Sequence, residues 1–391
     1  MRVACATMSA PGHAFPMLAL AKEIAARAHL VTFVCGAEHR EAAERAGCRY
    51  ADFPEGIDGS PRDSLRLYDD AASMARSMIP QFRDLEPDVV VHDAIALGPA
   101  LAAEALGIPV ASLIVHPLHT YSADLPPFGL GRRLIPLLEA NVRRNTLRDL
   151  TGARDDLNRA RAALRLAPTE RLDGQLSRDL ILVATLPSLE RLRRDWPAQA
   201  HVIGPLLWDG AGDVPALPPG DRPLVLIAPS TAHDVGAFVD AAVNAVASSG
   251  ARGLLTGPRP RDMPPGIVHV PFAPHDALLE QADAVITSGG HGIVARALTH
   301  GVPLVIVPGP GDQRENGARV AATGAAIRVR RPKKRAIRRA LRRLVEDPRY
   351  GMAAQRLATE AANLDGPRRG ADLIGMMAEP RRVDRGEAAS L

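Results

Sequence analysis

Apolar residues along this chain follow two alternating patterns. Runs of three to six apolar residues read as buried strands, and stretches with apolar side chains every third or fourth position read as amphipathic helices. In the first half the strands fall at residues 3–7, 30–35, 88–92, 110–115, 180–185 and 202–205. Between them lie helices at 16–27, 37–46 (ended by Gly47) and 99–106 (closed by Gly107), and residues 121–178 read as helical after a Pro126-Pro127 entry. After 207–220, a stretch rich in Gly, Pro and Asp, the alternation restarts. Strands are predicted at 224–228, 253–256, 268–270, 284–287, 304–307 and 326–329, with helices at 237–248, 275–281, 293–300 and 315–323 and more helix beyond. Such spacing requires right-handed crossovers and parallel sheets. The expected fold is α/β: two doubly wound, Rossmann-like domains facing each other across a cleft. The first spans 1–206, the linker 207–220 and the second 221–365. Each should bind ligands at the carboxyl ends of its strands.

Composition narrows the classes. A chain of 391 residues holds two domains of ordinary size, and a hydrophobic fraction of 46% excludes bulk disorder. Aromatics at 3% argue against stacking platforms for single-stranded nucleic acid. The net charge of +4 permits acidic partners without demanding them. The dense basic run Arg328-Val-Arg-Arg-Pro-Lys-Lys-Arg335, continued by Arg338, Arg339, Arg342 and Arg343, reads as a solvated helix face. No nucleic-acid reading module surrounds it. Cys5, Cys35 and Cys48 form no Cys-x-x-Cys spacing and fit free, buried thiols of a reducing cytosol. The first dozen residues are too short and interrupted for a signal peptide, and no apolar run approaches membrane-spanning length. The expected location is the cytoplasm.

The most informative stretch is Ala284-Val-Ile-Thr-Ser-Gly-Gly-His-Gly-Ile-Val-Ala-Arg-Ala-Leu-Thr-His-Gly-Val-Pro303. It is a strand, a turn Ser288-Gly289-Gly290-His291-Gly292, then a helix stopped by Gly301. Glycines let the backbone approach a ligand closely, and the unpaired first N–H groups of a helix carry the positive end of its dipole. The turn is thus suited to an anion, phosphate above all. It is neither Gly-x-Gly-x-x-Gly nor a P-loop, which speaks against a dehydrogenase and an NTPase. Further on, Asp312 and Gln313 follow another strand. A carboxylate beside a carboxamide suits sugar hydroxyls, although Asp312 alone serves equally as a helix cap.

Taken in order, Pro271-Phe-Ala-Pro-His-Asp-Ala-Leu-Leu279, Ser288-Gly-Gly-His-Gly292, Ala297-Leu-x-x-Gly-Val-Pro303 and Asp312-Gln313 resemble the donor half of GT-B glycosyltransferases. The likeness is to the UDP-glycosyltransferase superfamily, and within it to bacterial enzymes that decorate macrolides, enediynes and similar natural products. It extends over nearly the whole chain: Pro11-Gly-His-x-x-Pro16 matches the acceptor-side motif, and Pro87-Asp-Val-Val-Val-His-Asp93 the strand bearing an acidic partner. The resemblance implies transfer of a sugar from UDP or dTDP to a hydroxyl of a small lipophilic acceptor, with inversion and without a metal or other cofactor. His13 falls on the general base and Asp93 on the residue that hydrogen-bonds it, with His92 a competitor at the same strand end. Phe272 and Ala273 should lie along the nucleotide base, with His275 nearby. Ser230 and Thr231 should border the phosphates, together with Ser288, Gly289, Gly290, His291, Gly292 and Ile293. Asp312 and Gln313 should meet the sugar. Gly12, His116 and His119 are candidates for the acceptor side, shaped also by residues 53–79 and 121–178. A C-terminal helix at 366–377 should pack back on the first domain, followed by a frayed tail at 379–391. Partners are the acceptor and the nucleotide sugar, with no nucleic acid and no membrane span, the chain being a monomer or homodimer.

The chain departs from the family pattern at the anion turn. The usual His-Gly-Gly-x-Gly-Thr is here Ser288-Gly-Gly-His-Gly-Ile293, and Arg296 stands where many relatives place a Glu. Arg296 either binds phosphate or lies on the helix surface. Backbone N–H contacts survive such changes, because they need no side chain. The departures keep open an alternative, a homologue with a decayed donor site acting as a binding or auxiliary protein. A nucleotide-sugar epimerase is a third reading, set back by the acceptor motif around His13. So few aromatics also imply an acceptor gripped largely by aliphatic side chains.

Overall fold

A computed structural model describes residues 1–52, 71–131, 135–208, 210, 212–230 and 235–378. Thr231 and the 379–391 tail therefore lie outside the described residues, as does most of 53–79. The first unit comprises β1 (Arg2–Ala6), α1 (Pro11–Ala26), β2 (Leu30–Cys35), α2 (Arg40–Arg45), β3 (Arg49–Asp52), α3 (Ala71–Leu85), β4 (Val89–Asp93), α4 (Leu97–Ala105), β5 (Val110–Ile114), α5 (Pro136–Ala163), β6 (Leu180–Val183) and β7 (Ala200–Val202). The second comprises β8 (Leu224–Ala228), α6 (Gly236–Ala247), β9 (Arg252–Thr256), β10 (Ile267–Val270), α7 (His275–Leu279), β11 (Ala284–Thr287), α8 (His291–Thr299), β12 (Leu304–Ile306), α9 (Asp312–Thr323), β13 (Ala326–Arg328), α10 (Lys334–Glu346), α11 (Pro348–Ala362) and α12 (Gly366–Ala378).

Among the described residues the strands form two sheets, ordered β3-β2-β1-β4-β5-β6-β7 and β10-β9-β8-β11-β12-β13. Every strand pair is parallel. Helices cover both faces, so the central strands are apolar runs without alternation, and Val89, Val90, Val91, His92 and Asp93 of β4 are all buried. Each sheet reverses its direction of growth once, at β1/β4 and at β8/β11. A crevice opens outside the carboxyl ends of the strands at such a point. The expected two-sheet α/β fold is the fold observed.

Several boundaries differ from the sequence reading. Helix α1 begins at Pro11, five residues earlier than expected, and keeps Pro16 inside it. A proline is tolerated in a first turn, so Pro16 read as the start when Pro11 is. His13 thereby lies in the first turn of a helix and not in the turn before it. Helices α8 and α9 likewise start earlier, at His291 and Asp312, where Gly, Gln and Asn mask the apolar period. The 121–178 stretch is helical only over α5; loops flank it. Strand β3, whose residues Arg-Tyr-Ala-Asp carry little apolar signal, was missed in the sequence reading and sits at a sheet edge. Helix α10 turns Ile337, Ala340, Leu341 and Leu344 into the second core and leaves Lys334, Arg335, Arg338, Arg339, Arg342 and Arg343 exposed. The three cysteines are free and buried. No helix among the described residues is long and apolar enough to cross a membrane.

Helix α12 returns the chain to the first unit. Its Ala371, Ile374 and Ala378 join the core built on Leu18, Leu20 and Ile24 of α1, and Asp372 pairs with Arg27. A Cβ at Gly370 would stand 2.8 Å from Leu20 Cδ1, so any larger residue there would have to displace that side chain. Ile374 is fully buried. Ile374→Ala should therefore lower stability by about 2–5 kcal/mol, measured by denaturant unfolding of the first unit.

Candidate active site

The first crevice gathers His13 and Asp93. Successive side chains of a strand point to opposite faces. On β4 this turns His92 and Asp93 to opposite faces of the sheet. His92 is fully buried, and its Nε2 lies 2.6 Å from Ser112 Oγ while Nδ1 lies 3.1 Å from the Ala96 carbonyl. The Ala96 carbonyl can only accept, so His92 Nδ1–H donates to it, and Nε2 of the neutral ring accepts from the Ser112 hydroxyl, which itself accepts from the Ser177 N–H. Burial pushes the His92 pKa down and keeps the ring neutral. Asp93 points the other way, with Oδ2 2.8 Å from His13 Nδ1.

Asp93 is nearly inaccessible, at 1% exposure. Burial works against its charge, but His13 and the Ile95 N–H hold its pKa below the usual carboxylate value. Thr7 Oγ1 donates a long third contact of 3.4 Å. For His13 burial works to lower the pKa, and Asp93 outweighs it, aided by Asp312 from the second unit, so the pKa rises. The ring meets the carboxylate obliquely, as catalytic contacts often do without substrate. Nδ1 is engaged by Asp93 and Nε2 is left as the nitrogen able to accept a proton. Gly12 beside it is exposed, and a Cβ there would meet nothing within 4 Å.

The second crevice gathers the glycine turn and Ser230. The Ser230 N–H donates to Ser288 Oγ at 2.8 Å, tying the ends of β8 and β11 together across the strand-order reversal. Gly289 has φ +91, and a Cβ there would come 2.9 Å from Ile306 Cγ2, so the turn requires glycine. At Gly290 and Gly292 a Cβ would meet nothing within 4 Å. These two glycines answer no packing demand, and leave open space at the start of α8, where the first N–H groups have no intrahelical acceptor. Ile293, in place of a hydroxyl residue, packs towards the second core. Gln313 is buried: its Nε2 donates to Ser230 Oγ at 3.1 Å and its Oε1 accepts from the Gly309 N–H at 3.1 Å. Asp312 Oδ2 accepts from Asn316 Nδ2 at 2.9 Å.

Asn316 was missed in the sequence reading. It is buried, and its Nδ2 also donates to the Gly289 carbonyl at 3.0 Å, so one amide joins the glycine turn to Asp312. The available signal was its spacing, one helical turn after Asp312. His291 Nε2 reaches the Ala184 carbonyl at the end of β6, 3.1 Å away, and so spans the two units. Burial and then His116 push its pKa down to about 4. His275 faces Thr256 Oγ1 at 3.0 Å, its pKa lowered to about 4 by burial and by Arg296. Ala273 is buried, whereas Phe272 is 54% exposed with its ring against Gly210 and Gly212 of the linker.

Arg296 does not lie on the helix surface. It is buried, and its guanidinium donates to Asp276 and to the Trp208 carbonyl. It pins the linker, because both partners are internal and Trp208 sits in the first core. On the acceptor side, His116, His119 and Phe128 form a ring cluster, with centroids 5.2 Å apart for the two histidines and 5.5 and 6.1 Å from each to Phe128. The low aromatic count concealed this local concentration. Burial and then His116 lower the His119 pKa to about 3 against the pull of Asp93.

Comparison with known proteins agrees with this geometry. Residues 238–373 match the family model of the erythromycin biosynthesis protein CIII-like C-terminal domain. The chain is 32% identical to 4'-demethylrebeccamycin synthase of Lentzea aerocolonigenes, over 95% of this chain and 98% of that one. It is 29% identical to O-mycaminosyltylonolide 6-deoxyallosyltransferase of Streptomyces fradiae, over 97% and 98%. The crystal structure of the glycotransferase of kitacinnamycin superposes with a TM-score of 0.77 at 24% identity, over 96% and 98% of the two chains. Fold, paired crevices and these relatives together show that the chain belongs to the GT-B natural-product glycosyltransferases of the UDP-glycosyltransferase superfamily.

Proposed function

We propose that this glycosyltransferase moves a sugar from a UDP or dTDP sugar to a hydroxyl of a small lipophilic acceptor, with inversion and without a metal ion. The observation that carries the reading is the His13–Asp93 pair at 2.8 Å, set at the strand-order reversal of the first sheet within electrostatic reach of Asp312 from the second unit. His13 Nε2 takes the acceptor proton as the oxygen attacks the anomeric carbon. A base that activates the acceptor for direct attack gives a single displacement, and hence inversion. Asp93 fixes the tautomer and stabilises the imidazolium that forms. The leaving diphosphate is stabilised by the N–H groups at the start of α8, dipoles already in place when charge develops. Ser288, Ile293 and Arg296 leave those groups open, which supports an active donor site over a decayed one.

His13→Ala should cut transfer by about 10²–10⁴-fold while UDP or dTDP still raises the melting temperature of the variant. EDTA should leave the wild-type rate unchanged. A thermal-shift panel in which neither nucleotide diphosphate stabilises the wild-type protein would favour the decayed-site reading.

The pH profile gives a second check. His13 acts as a base only when neutral, and its pKa is raised. The rate should therefore fall with acidification through a pKa above the ordinary histidine value of about 6.5. Asp93→Asn removes the charge that raises it and leaves burial, which lowers it. The acidic limb of kcat/KM should move to lower pH, and the plateau should drop about 10²-fold or more through loss of the orienting carboxylate. An unmoved limb would show that another group titrates.

A further inference from the structure

Helix α9 faces two ways. Its first turn holds Asp312, Gln313 and Asn316 against the glycine turn, as described above. On another side of the same helix, Glu315 and, one turn on, Arg319, at 3% and 4% exposure, form the centre of a buried ion network that crosses into the first unit. Arg319 Nε donates to Glu315 Oε1 at 2.9 Å. Its Nη1 donates to Glu190 Oε2 at 2.8 Å and to the Leu189 carbonyl at 2.9 Å. Arg191 stands 3.5 Å from Glu315 Oε1.

The two carboxylates then reach the same loop from opposite ends. Glu190 Oε1 accepts from the Leu118 N–H at 2.6 Å, and Glu315 Oε2 accepts from the Gly131 N–H at 3.1 Å. The guanidinium of Arg319 also lies over the Phe128 ring, 6.0 Å from its centroid. At Gly131, φ is +64 and a Cβ would fall 2.5 Å from the Arg314 carbonyl, so the loop backbone is pressed onto α9 where no side chain fits. The loop held in this way, residues 116–131, carries His116, His119 and Phe128.

We propose that Arg319 is a positioning residue for the acceptor. Through Glu190 and Glu315 it clasps the 116–131 loop to the helix whose first turn braces the glycine turn. Acceptor placement in the first unit thus depends on a side chain of the second. Buried carboxylates need a paired cation; without Arg319, Glu190 loses its guanidinium and Glu315 keeps only the longer contact with Arg191, so both draw in water and loosen their hold on the Leu118 and Gly131 amides. The inference rests on the proposed transfer to an acceptor and on that acceptor lying beside His116 and His119, where the family resemblance puts its acceptor-side candidates.

The test is amide hydrogen exchange on the full chain without substrate, so it reads independently of whether the proposed chemistry is right. In Arg319→Met, exchange in peptides covering Leu118 and Gly131 should accelerate by about tenfold or more while peptides over 286–293 stay unchanged. Affinity for UDP or dTDP should hold within about twofold, and the apparent KM for a phenolic probe, 7-hydroxycoumarin, should rise more than kcat falls. Should Arg319→Met not fold, Arg319→Lys gives the same readout, since a single ammonium cannot reach Glu315, Glu190 and Leu189 together. Unchanged exchange at Leu118 and Gly131, or equal loosening of the glycine turn, would overturn the proposal.

Discussion

A parallel sheet that grows first to one side and then to the other must leave one place where two neighbouring strands send their chains apart. Here that happens at β1/β4 and at β8/β11, and the proposed base pair and the glycine turn are built on those two places. His13 follows β1 and Asp93 ends β4; Ser230 follows β8 and the glycine turn follows β11. The right-handedness of βαβ crossovers fixes which face each connecting helix takes. The reacting groups therefore need no long loops to meet. Each stands within a few residues of a buried strand, on backbone whose hydrogen bonds the sheet already fixes.

The second constraint is the burial of charge. Asp93 and the Arg319 network are both sealed from water, and a sealed charge is tolerated only when it is matched. Around Asp93 the match is a histidine, a group whose own charge is conditional. That makes the pair useful for moving a proton. Around Glu315 and Glu190 it is a guanidinium, which never deprotonates in proteins. That makes the network a fixed brace. The same physical requirement yields a titrating pair at the acceptor and a permanent clasp behind it.

The sheets were legible in the sequence because continuous apolar runs such as Leu224–Ala228 and Ala284–Thr287 can be buried on both faces only in a parallel sheet. The first helical turns were not legible, and those turns carry the site. Gly12 and His13 in α1, His291 and Gly292 in α8, and Asp312 and Gln313 in α9 have no apolar period, because their side chains or backbone face the crevice or the neighbouring turn instead of a core. The roles of Arg296 and Gln313 were hidden for a different reason. Each is satisfied by groups far along the chain, Trp208 and Ser230, which one-dimensional spacing does not relate to it. Each side chain makes contacts within the protein that residue type and spacing do not disclose.

Histidines crowd this cleft, and the geometry still distinguishes one proton acceptor. His92, His119, His275 and His291 all have lowered pKa values, each with burial as the first cause. Burial works to lower the His13 pKa too, yet among these five it alone is raised. The difference is Asp93, whose Oδ2 lies at its Nδ1. A ring that stays neutral at every working pH can hold a carbonyl, as His291 holds Ala184, but it gains little from taking a proton. A ring beside a buried carboxylate gains a counter-ion when it does. What sets His13 apart as the proposed base is therefore the change in its energy on protonation, set by a carboxylate that strand alternation turned away from His92.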